Sequence, residues 1–238
     1  MVDRFAVVQR RGVIVAIDGP AGAGKSTIAR RLADALGYVL VDTGAMYRTV
    51  ALAAQRSGVP WNDGAALGGL ARSLVAEHAL AFERDAELGV RVKVSGEDVS
   101  DAIRTPDIAQ GASTVSTHPE VREALLDLQR QAGEAGGVVL EGRDIGTVVF
   151  PHAEAKFFLT ASAEVRAKRR HVELVAKGQN VTFEETLEDV KRRDAQDSGR
   201  AHAPLKQAED AVLVDSTDLG IDETVARMLS HVERTSAR

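Results

Sequence analysis

Nine residues near the amino terminus have the types and spacing needed to hold a polyphosphate. They match the pattern G-x-x-x-x-G-K-[ST] and read, in order, Gly19, Pro20, Ala21, Gly22, Ala23, Gly24, Lys25, Ser26 and Thr27. Glycines leave backbone N–H groups open to phosphate oxygens, and Lys25 adds a cation for the β and γ oxygens. The Ser26 hydroxyl is a suitable ligand for Mg²⁺. The segment therefore predicts a nucleotide site that needs Mg²⁺.

Such a loop needs a buried strand before it and a helix after it, and the sequence supplies both. Val13–Ile17 is a short apolar run, and a helical pattern extends from Lys25 to about Leu36, where Gly37 stops it. Four more short apolar runs follow, at 38–41, 138–140, 156–159 and 212–214. Strands that alternate with helices form parallel sheets, so we predict an α/β fold with a five-stranded parallel core flanked by helices.

Two segments depart from this alternation. Apolar and polar residues alternate within about 79–100, which predicts a small antiparallel sheet inserted between helices. The segment 166–200 is helical and highly charged. We therefore expect one parallel core with two additions.

Two capping signals predict where helices begin. Thr182 followed by Glu185 forms a capping box, so a helix is expected to begin directly after Thr182. Thr117 and Glu120 form the same pattern, and they predict the start of a helix that ends near Gln131.

Two groups of residues in the charged segment each share a helix face. They are Arg166, Arg169 and Arg170, and Arg193, Asp197 and Arg200. Either group alone fits an ordinary solvated face with weak ion pairs. Beside a phosphate-binding loop, two arginine faces favour a lid that closes on phosphates, because the planar guanidinium binds phosphate bidentately.

Two further places suit a second, phosphorylated substrate. Arg143 and Asp144 come just after an apolar run, and open α/β sheets bind ligands at the carboxyl ends of their strands. Thr43 and Arg48 follow another apolar run, and there a hydroxyl and a cation could hold a phosphate. The alternative at this second place is a helix cap formed by Asp42 or Thr43.

The composition excludes several classes of protein. The chain has 238 residues, enough for one or two domains, and it has no cysteine. A disulfide scaffold, a Cys-ligated zinc site and a thiol nucleophile are therefore excluded. A net charge of −5 and few aromatic residues argue against a nucleic-acid partner. No apolar stretch is long enough for a signal peptide or a membrane span, which predicts a cytoplasmic protein with no membrane partner.

Longer motifs carry a resemblance to a known family. Besides the phosphate-binding loop, they are the segments DTGAMYR at 42–48, GEDVS at 96–100, IRT at 103–105, VREA at 121–124, EGRDIGT at 141–147 and RDxxDxxR at 193–200. The last two are far more specific than the loop. In this order, from about Val13 to Ala226, the chain resembles the bacterial cytidylate kinases.

The resemblance implies transfer of the γ-phosphoryl group of ATP to CMP or dCMP by a monomer. It also implies a division of the chain into three parts. The implied core is 13–42, 112–164 and 201–238, the implied monophosphate-binding region is 43–111 and contains the inserted sheet, and the implied lid is 165–200.

Site roles are implied residue by residue. The catalytic residues are Lys25, Arg143, Arg193 and Arg200. ATP is expected on the loop 19–27 and on Arg169, with Mg²⁺ on Ser26. The substrate-binding residues are Thr43, Arg48, Ser113, Arg122, Arg143, Asp144, Arg193 and Asp197. Among these, the resemblance implies that Arg48 and Arg143 bind the CMP phosphate, that Ser113, Arg122 and Asp144 read cytosine, and that Asp197 binds the ribose.

Two other functions stay open at this point. One is a different small-molecule kinase with the same loop, such as a UMP/CMP or shikimate-type enzyme. The other is a nucleotide-binding regulator that has no phosphoryl acceptor. A GTPase is disfavoured, because the sequence contains no guanine-reading Asn-Lys-x-Asp motif.

Overall fold

The computed structural model describes residues 12–85 and 89–236, which divide into two compact units. The sheet unit comprises residues 12–41 and 136–236, and the inserted unit comprises residues 42–85 and 89–135. The predicted division into core, monophosphate-binding region and lid stays a prediction.

In chain order the elements are β1 (Ile14–Asp18), α1 (Lys25–Leu36), β2 (Val39–Asp42), α2 (Thr43–Arg56), α3 (Gly64–Ala76), β3 (Leu80–Asp85), β4 (Gly89–Val94), β5 (Glu97–Asp98), α4 (Pro106–Val115), α5 (Pro119–Gln131), β6 (Val138–Gly142), β7 (Ala155–Thr160), α6 (Ala163–Ala176), α7 (Phe183–Ser198), β8 (Val212–Asp215) and α8 (Ile221–Ser236). Two short helical turns complete them, a 3₁₀ turn at Ala102–Arg104 and a π turn at Ile145–Val149.

The main sheet has the strand order β2-β6-β1-β7-β8. Strand β1 pairs in parallel with both β6 and β7, and β7 pairs in parallel with β8. The predicted five-stranded parallel core is therefore confirmed. Its central strands end at one edge, where Asp18 lies opposite Gly142 in the register of β1 and β6.

Apolar side chains bury the sheet on both faces. Val15 and Ile17 of β1 and Phe157 of β7 are buried in one cluster with Leu32 of α1 and Met228 of α8. A strand covered on both faces has a nearly continuous apolar sequence, which is why these strands could be predicted from short runs. Within the described residues, no helix combines the length and the apolar character required to cross a bilayer.

Glycines at both ends fix the position of α1. Gly24 precedes the helix with φ 88°, and Gly37 ends it with φ 68°. Both lie in the left-handed region, where glycine pays little steric cost. The helix therefore begins at Lys25, as predicted, and places this residue at the end of the phosphate-binding loop.

The inserted unit contains four helices and a small sheet. Strands β3, β4 and β5 form a three-stranded sheet in which β4 pairs antiparallel with both neighbours. The predicted antiparallel insertion is confirmed. Asp42 caps α2, because its side chain accepts a hydrogen bond of 3.0 Å from the backbone N–H of Ala45.

One capping prediction is confirmed and the other is wrong. Thr182 Oγ1 accepts from the N–H of Glu185 at 3.1 Å, and the Glu185 carboxylate accepts from the N–H of Thr182 at 2.8 Å. By contrast, α5 begins at Pro119. Proline fixes φ at the first helical position, and Thr117 Oγ1 instead donates to the carbonyl of Thr114 at 2.7 Å.

Candidate active site

The phosphate-binding loop lies between β1 and α1 and requires glycine where it packs closely. Gly19 has φ 154°, and a Cβ there would lie 2.0 Å from the carbonyl oxygen of Leu159. Gly22 has φ 76°, and its Cβ would lie 3.2 Å from Cβ of Arg166. Side chains at these positions would also cover the backbone N–H groups that a phosphate needs.

Lys25 folds back onto this loop. Its buried Nζ donates to the carbonyl oxygens of Gly19 and Pro20, at 2.8 Å each. Burial, together with the positive charge of Arg143, lowers the pKa of Lys25 to about 7. An anion bound beside this ammonium would favour its charged form, so the loop is electrostatically prepared for a phosphate.

A buried carboxylate joins two of the predicted arginines. Asp197 Oδ2 accepts from Nε of Arg143 at 2.8 Å, and Asp197 Oδ1 accepts from Nη2 of Arg200. Burial alone would raise the pKa of Asp197, but the charges of Arg143 and Arg200 outweigh it and hold the pKa below its usual value. The positive charge of Lys25 acts on Asp197 in the same direction. The sheet unit thus brings together Lys25, Arg143, Asp197 and Arg200.

Arg193 lies close to this group on α7. Burial lowers the pKa of its guanidinium, although the charge of Asp189 opposes the shift. Arg193 Nε lies 3.4 Å from Asp189 Oδ2, yet among the described residues this nitrogen makes no hydrogen bond. Arg193 is therefore held beside Asp189 while this buried N–H group is left without an acceptor among the described residues.

The arginines of α6 share a helix face by their spacing, but they do not form an ordinary solvated face. Arg166 is buried, and its guanidinium forms two hydrogen bonds with Asp194 of α7, at 2.9 and 2.6 Å. Arg166 Nη1 also donates to the carbonyl of Ala21 in the phosphate-binding loop at 3.0 Å. Arg169 donates instead to the side chain and carbonyl of Ser216, at 3.1 and 2.7 Å. Arg166 therefore connects the loop with both helices of the charged segment.

Asp144, the predicted cytosine-reading residue, is buried in the turn that follows β6. The neighbouring Asp18 accepts from the backbone N–H groups of Ile145 and Gly146, at 2.8 Å each. Burial, together with the negative charge of Asp144, raises the pKa of Asp18 to about 6. Two carboxyl groups thus lie near each other beside the loop.

The other predicted acceptor residues lie in the inserted unit. Arg48 Nη2 is 2.7 Å from Asp42 Oδ2, and Thr43 is buried at the start of α2. Burial would raise the pKa of Asp42, but the positive charge of Arg48 reverses the shift and lowers it. Arg104 adds a smaller lowering effect. The structure therefore brings a second arginine close to Arg48 and its carboxylate partner.

Arg122 stacks on an aromatic ring within the same unit. Its guanidinium carbon lies 5.5 Å from the centre of the Tyr47 ring, and Nη1 donates to the carbonyl of Ser116 at 3.2 Å. Ser113 lies in the last turn of α4. These contacts fix the orientation of Arg122, as a cation–π pair is expected to do.

Ser26 suits a metal that arrives together with the nucleotide. Its side chain is exposed at the second residue of α1, directly after Lys25. Mg²⁺ in nucleotide sites usually keeps several waters and takes one or two protein oxygens besides phosphate. Over the described ranges, no group of three or more His, Cys, Asp or Glu side chains could hold a metal ion. The single hydroxyl of Ser26 therefore fits the one or two protein oxygens that Mg²⁺ takes in a nucleotide site.

Sequence reasoning missed three of these residues. Arg104 belongs to a quoted motif, IRT, but its approach to Asp42 needs the fold. Asp18 stands directly before the loop, which is a local signal, whereas its partners are more than 120 residues away. Asp194 belongs to the RDxxDxxR motif, and its pairing with Arg166 shows only in the packing of α6 on α7.

Comparison with known proteins identifies the family of this chain. The sequence model described as cytidylate kinase matches residues 15–234. The chain is 56% identical to the cytidylate kinase of Geobacter sp. (strain M21), over 98% of each chain. It is 58% identical to that of Geobacter sulfurreducens over 94% of each chain, and 49% identical to that of Pseudomonas aeruginosa over 93% of this chain and 95% of that protein. The resemblance predicted from the motifs is confirmed.

Proposed function

We propose, from the premise that this chain belongs to the cytidylate kinase family, that it transfers the γ-phosphoryl group of ATP to CMP or dCMP. Membership of this family makes the chain a kinase that acts on a nucleoside monophosphate. The observation that carries the finer proposal is the group formed by Lys25, Arg143, Asp197 and Arg200 beside the phosphate-binding loop.

ATP is proposed to bind through the loop 19–27. Open backbone N–H groups and the amino end of α1 favour the polyphosphate, and Lys25 exchanges its two carbonyl partners for β and γ oxygens. Ser26 would hold Mg²⁺, which neutralises charge on the transferring group. Arg169 is proposed as a further ATP-binding residue, which requires it to leave Ser216.

The acceptor needs no general base, because its phosphate oxygen is already anionic. Catalysis is then a matter of alignment and charge stabilisation. We assign charge stabilisation to Lys25, Arg143, Arg193 and Arg200. Asp197 fixes the guanidinium of Arg143 and is proposed to bind the ribose.

Further residues are proposed to bind the acceptor. Arg48, held by Asp42, suits the CMP phosphate together with Thr43. Ser113 and Arg122 are proposed to contact cytosine.

We propose that the preference for cytosine over uracil depends on a hydrogen bond between the base and Asp144. Its carboxylate would accept a hydrogen bond from the exocyclic amino group of cytosine. Uracil has a carbonyl at that position, which would place an acceptor against the buried carboxylate, and such mismatches are strongly rejected.

The segment 165–200 is proposed to close over the nucleotides as a lid. Closure would exclude water, which otherwise competes with CMP for the γ-phosphoryl group. We further propose that the enzyme acts in the cytoplasm, and as a monomer, which its resemblance implies. Size-exclusion chromatography with light scattering tests the monomer.

A coupled assay of ADP formation tests the proposed function. It compares CMP, dCMP, UMP, AMP and shikimate as acceptors for ATP. We expect CMP and dCMP to give the highest kcat/KM. A higher value with shikimate or AMP would identify a different kinase, and ATP turnover unaffected by every acceptor would identify a nucleotide-binding regulator.

A further inference from the structure

Asp18 stands at the point where the two functional loops of the sheet unit leave the sheet. It is the last residue of β1 and lies opposite Gly142, the last residue of β6. The chain continues from Asp18 into the phosphate-binding loop and from Gly142 into Arg143 and Asp144. Strand pairing therefore fixes both loops only as far as this edge, and beyond it another interaction is needed.

The Asp18 carboxylate supplies that interaction. Oδ1 accepts from the N–H of Ile145 and Oδ2 accepts from the N–H of Gly146, at 2.8 Å each, and the side chain is buried. These N–H groups open the π turn whose later N–H groups, of Val148 and Val149, bond to the carbonyl of Asp144. The carboxylate thus holds the turn by its first two residues, directly after the pair Arg143 and Asp144.

A carboxylate is the side chain that this geometry requires. Two consecutive N–H groups need two acceptor oxygens, and an asparagine of the same shape would present one oxygen and one N–H₂ group. Keeping a charge buried here is costly, since burial raises the pKa of Asp18 to about 6. Two charge-assisted hydrogen bonds offset part of that cost.

Gly146 makes room for the same contact. A Cβ at this position would lie 3.4 Å from Asp18 Oδ2 and 3.2 Å from Cδ of Lys156. The second of these approaches is tighter than ordinary van der Waals contact, so an alanine would force either the turn or the Lys156 side chain of β7 to move. The glycine of the EGRDIGT motif therefore lets the turn pack closely between Lys156 and Asp18.

We propose that Asp18 is a positioning residue that fixes Arg143 and Asp144 relative to the phosphate-binding loop, and so sets both the transfer rate and the choice of cytosine over uracil. This inference rests on the proposed function, because it acts through the roles assigned to Arg143 and Asp144. Misplacement of a reacting group by about 1 Å costs about 100-fold in rate. A turn released from Asp18 would shift the acceptor without removing any group that touches it.

The variant Asp18→Asn tests this role. We expect kcat with CMP to fall by about 10- to 100-fold and the CMP-over-UMP ratio of kcat/KM to narrow by about tenfold. The Kd of ATP without acceptor should stay within about threefold, because the loop and Lys25 keep their contacts. A residue that only stabilises the fold would lower the amount of active enzyme and leave the CMP-over-UMP ratio unchanged.

Glu154→Gln is the matched control. Glu154 Oε2 also accepts from a backbone N–H of β1, that of Ile14, at 2.8 Å, but at the opposite end of the strand and in an exposed position. This variant should keep the wild-type kcat and CMP-over-UMP ratio. An equal loss in both variants would show a general effect on β1 and would overturn the positioning role.

Gly146→Ala provides a second test in case Asp18→Asn does not fold. It retains Asp18 and every proposed substrate contact, and it should narrow the CMP-over-UMP ratio in the same direction. Wild-type ratios in the folded variants would overturn the role of Asp18 while leaving the proposed function intact. If the wild-type enzyme itself fails to phosphorylate CMP, the proposed function fails instead, and the two failures are thereby distinguished.

Discussion

Pairs of opposite charge determine how the individual side chains of the site are held. The carboxylate of Asp197 orients Arg143 and Arg200, and that of Asp42 orients Arg48. Removing the buried carboxylate of Asp197 would leave uncompensated charges, so a single substitution there should destabilise the protein more than joint replacement of the carboxylate and its arginines. The guanidinium groups are therefore oriented in the fold before any ligand arrives.

Lys25→Ala should lower kcat by about 100-fold or more, because the β and γ oxygens lose a preorganised cation. The fold should survive, since burial already penalises the charged lysine and lowers its pKa to about 7. Steady-state kinetics and a thermal melt measure the two effects. The control is Lys177→Ala, which removes only an exposed ion pair with Glu173. Near-normal activity of Lys25→Ala would contradict the assignment of the phosphate-binding loop.

Asp144→Asn should narrow the preference for CMP over UMP by about tenfold, because an amide can donate to the uracil carbonyl as well as accept from cytosine. The measurement is kcat/KM for CMP and UMP with wild type and variant. If the ratio does not change, Asp144 has no part in base recognition.

Asp18 should make stability depend on pH. Burial raises its folded pKa above the ordinary 3.8 to about 6, with Asp144 adding to the rise and Lys25 opposing it. The folded state therefore binds more protons than the unfolded state between these values, so wild-type stability rises as pH falls through 6. Relative to Asp18→Asn, wild type should gain about 1 kcal/mol of unfolding free energy between pH 7 and pH 5. Urea unfolding measures it, and a pH-independent difference would contradict the shift.

Single residues were predictable where a local motif specifies them. Lys25 and Ser26 follow from the spacing of the loop alone. The role of Asp18 was not predictable. Its two hydrogen-bond partners lie in the turn after β6, and no short-range sequence pattern encodes that contact. Long-range polar contacts need the fold before they can be recognised.

At the scale of elements, α6 and α7 are joined by a buried pair. Arg166 and Asp194 form two hydrogen bonds, and the Arg166 side chain is 6% exposed against 28% for Asp194. Asp194→Ala should therefore destabilise the protein by about 3 kcal/mol, since it leaves the guanidinium buried without its carboxylate. Chemical denaturation measures the loss.

A double-mutant cycle separates this pair from general packing. Joint replacement by Arg166→Met and Asp194→Leu should cost less than the sum of the two single substitutions. The exposed pair Arg170 and Glu173 is the control, with a coupling of about 0.5 kcal/mol or less. Additive losses for Arg166 and Asp194 would contradict a direct link between the two helices.

Elements with a strong local signal were predicted correctly. The period-two pattern of the inserted sheet and the capping box at Thr182 both specify structure within a few residues. The start of α5 was not predicted correctly. The helix begins at Pro119, and the Thr117 hydroxyl donates to the carbonyl of Thr114 in α4 instead of capping α5. The arginine spacing on α6 likewise predicted a shared face without revealing that Arg166 is buried.

At the scale of the whole molecule, a net charge of −5 conceals local concentrations of positive charge. In the sheet unit, Lys25, Arg143 and Arg200 come from three separate segments and surround one carboxylate, Asp197. A composition average contains no information about such convergence. In the proposed reaction, these charges act on one phosphoryl group, which passes from ATP to the acceptor.

Phosphorus NMR of the wild-type enzyme with ATP, Mg²⁺ and CMP follows that group directly. We predict that the γ-phosphoryl signal of ATP disappears as the β-phosphoryl signal of CDP appears, with one ADP formed per CDP and little inorganic phosphate. Release of inorganic phosphate with CMP unchanged would contradict the account.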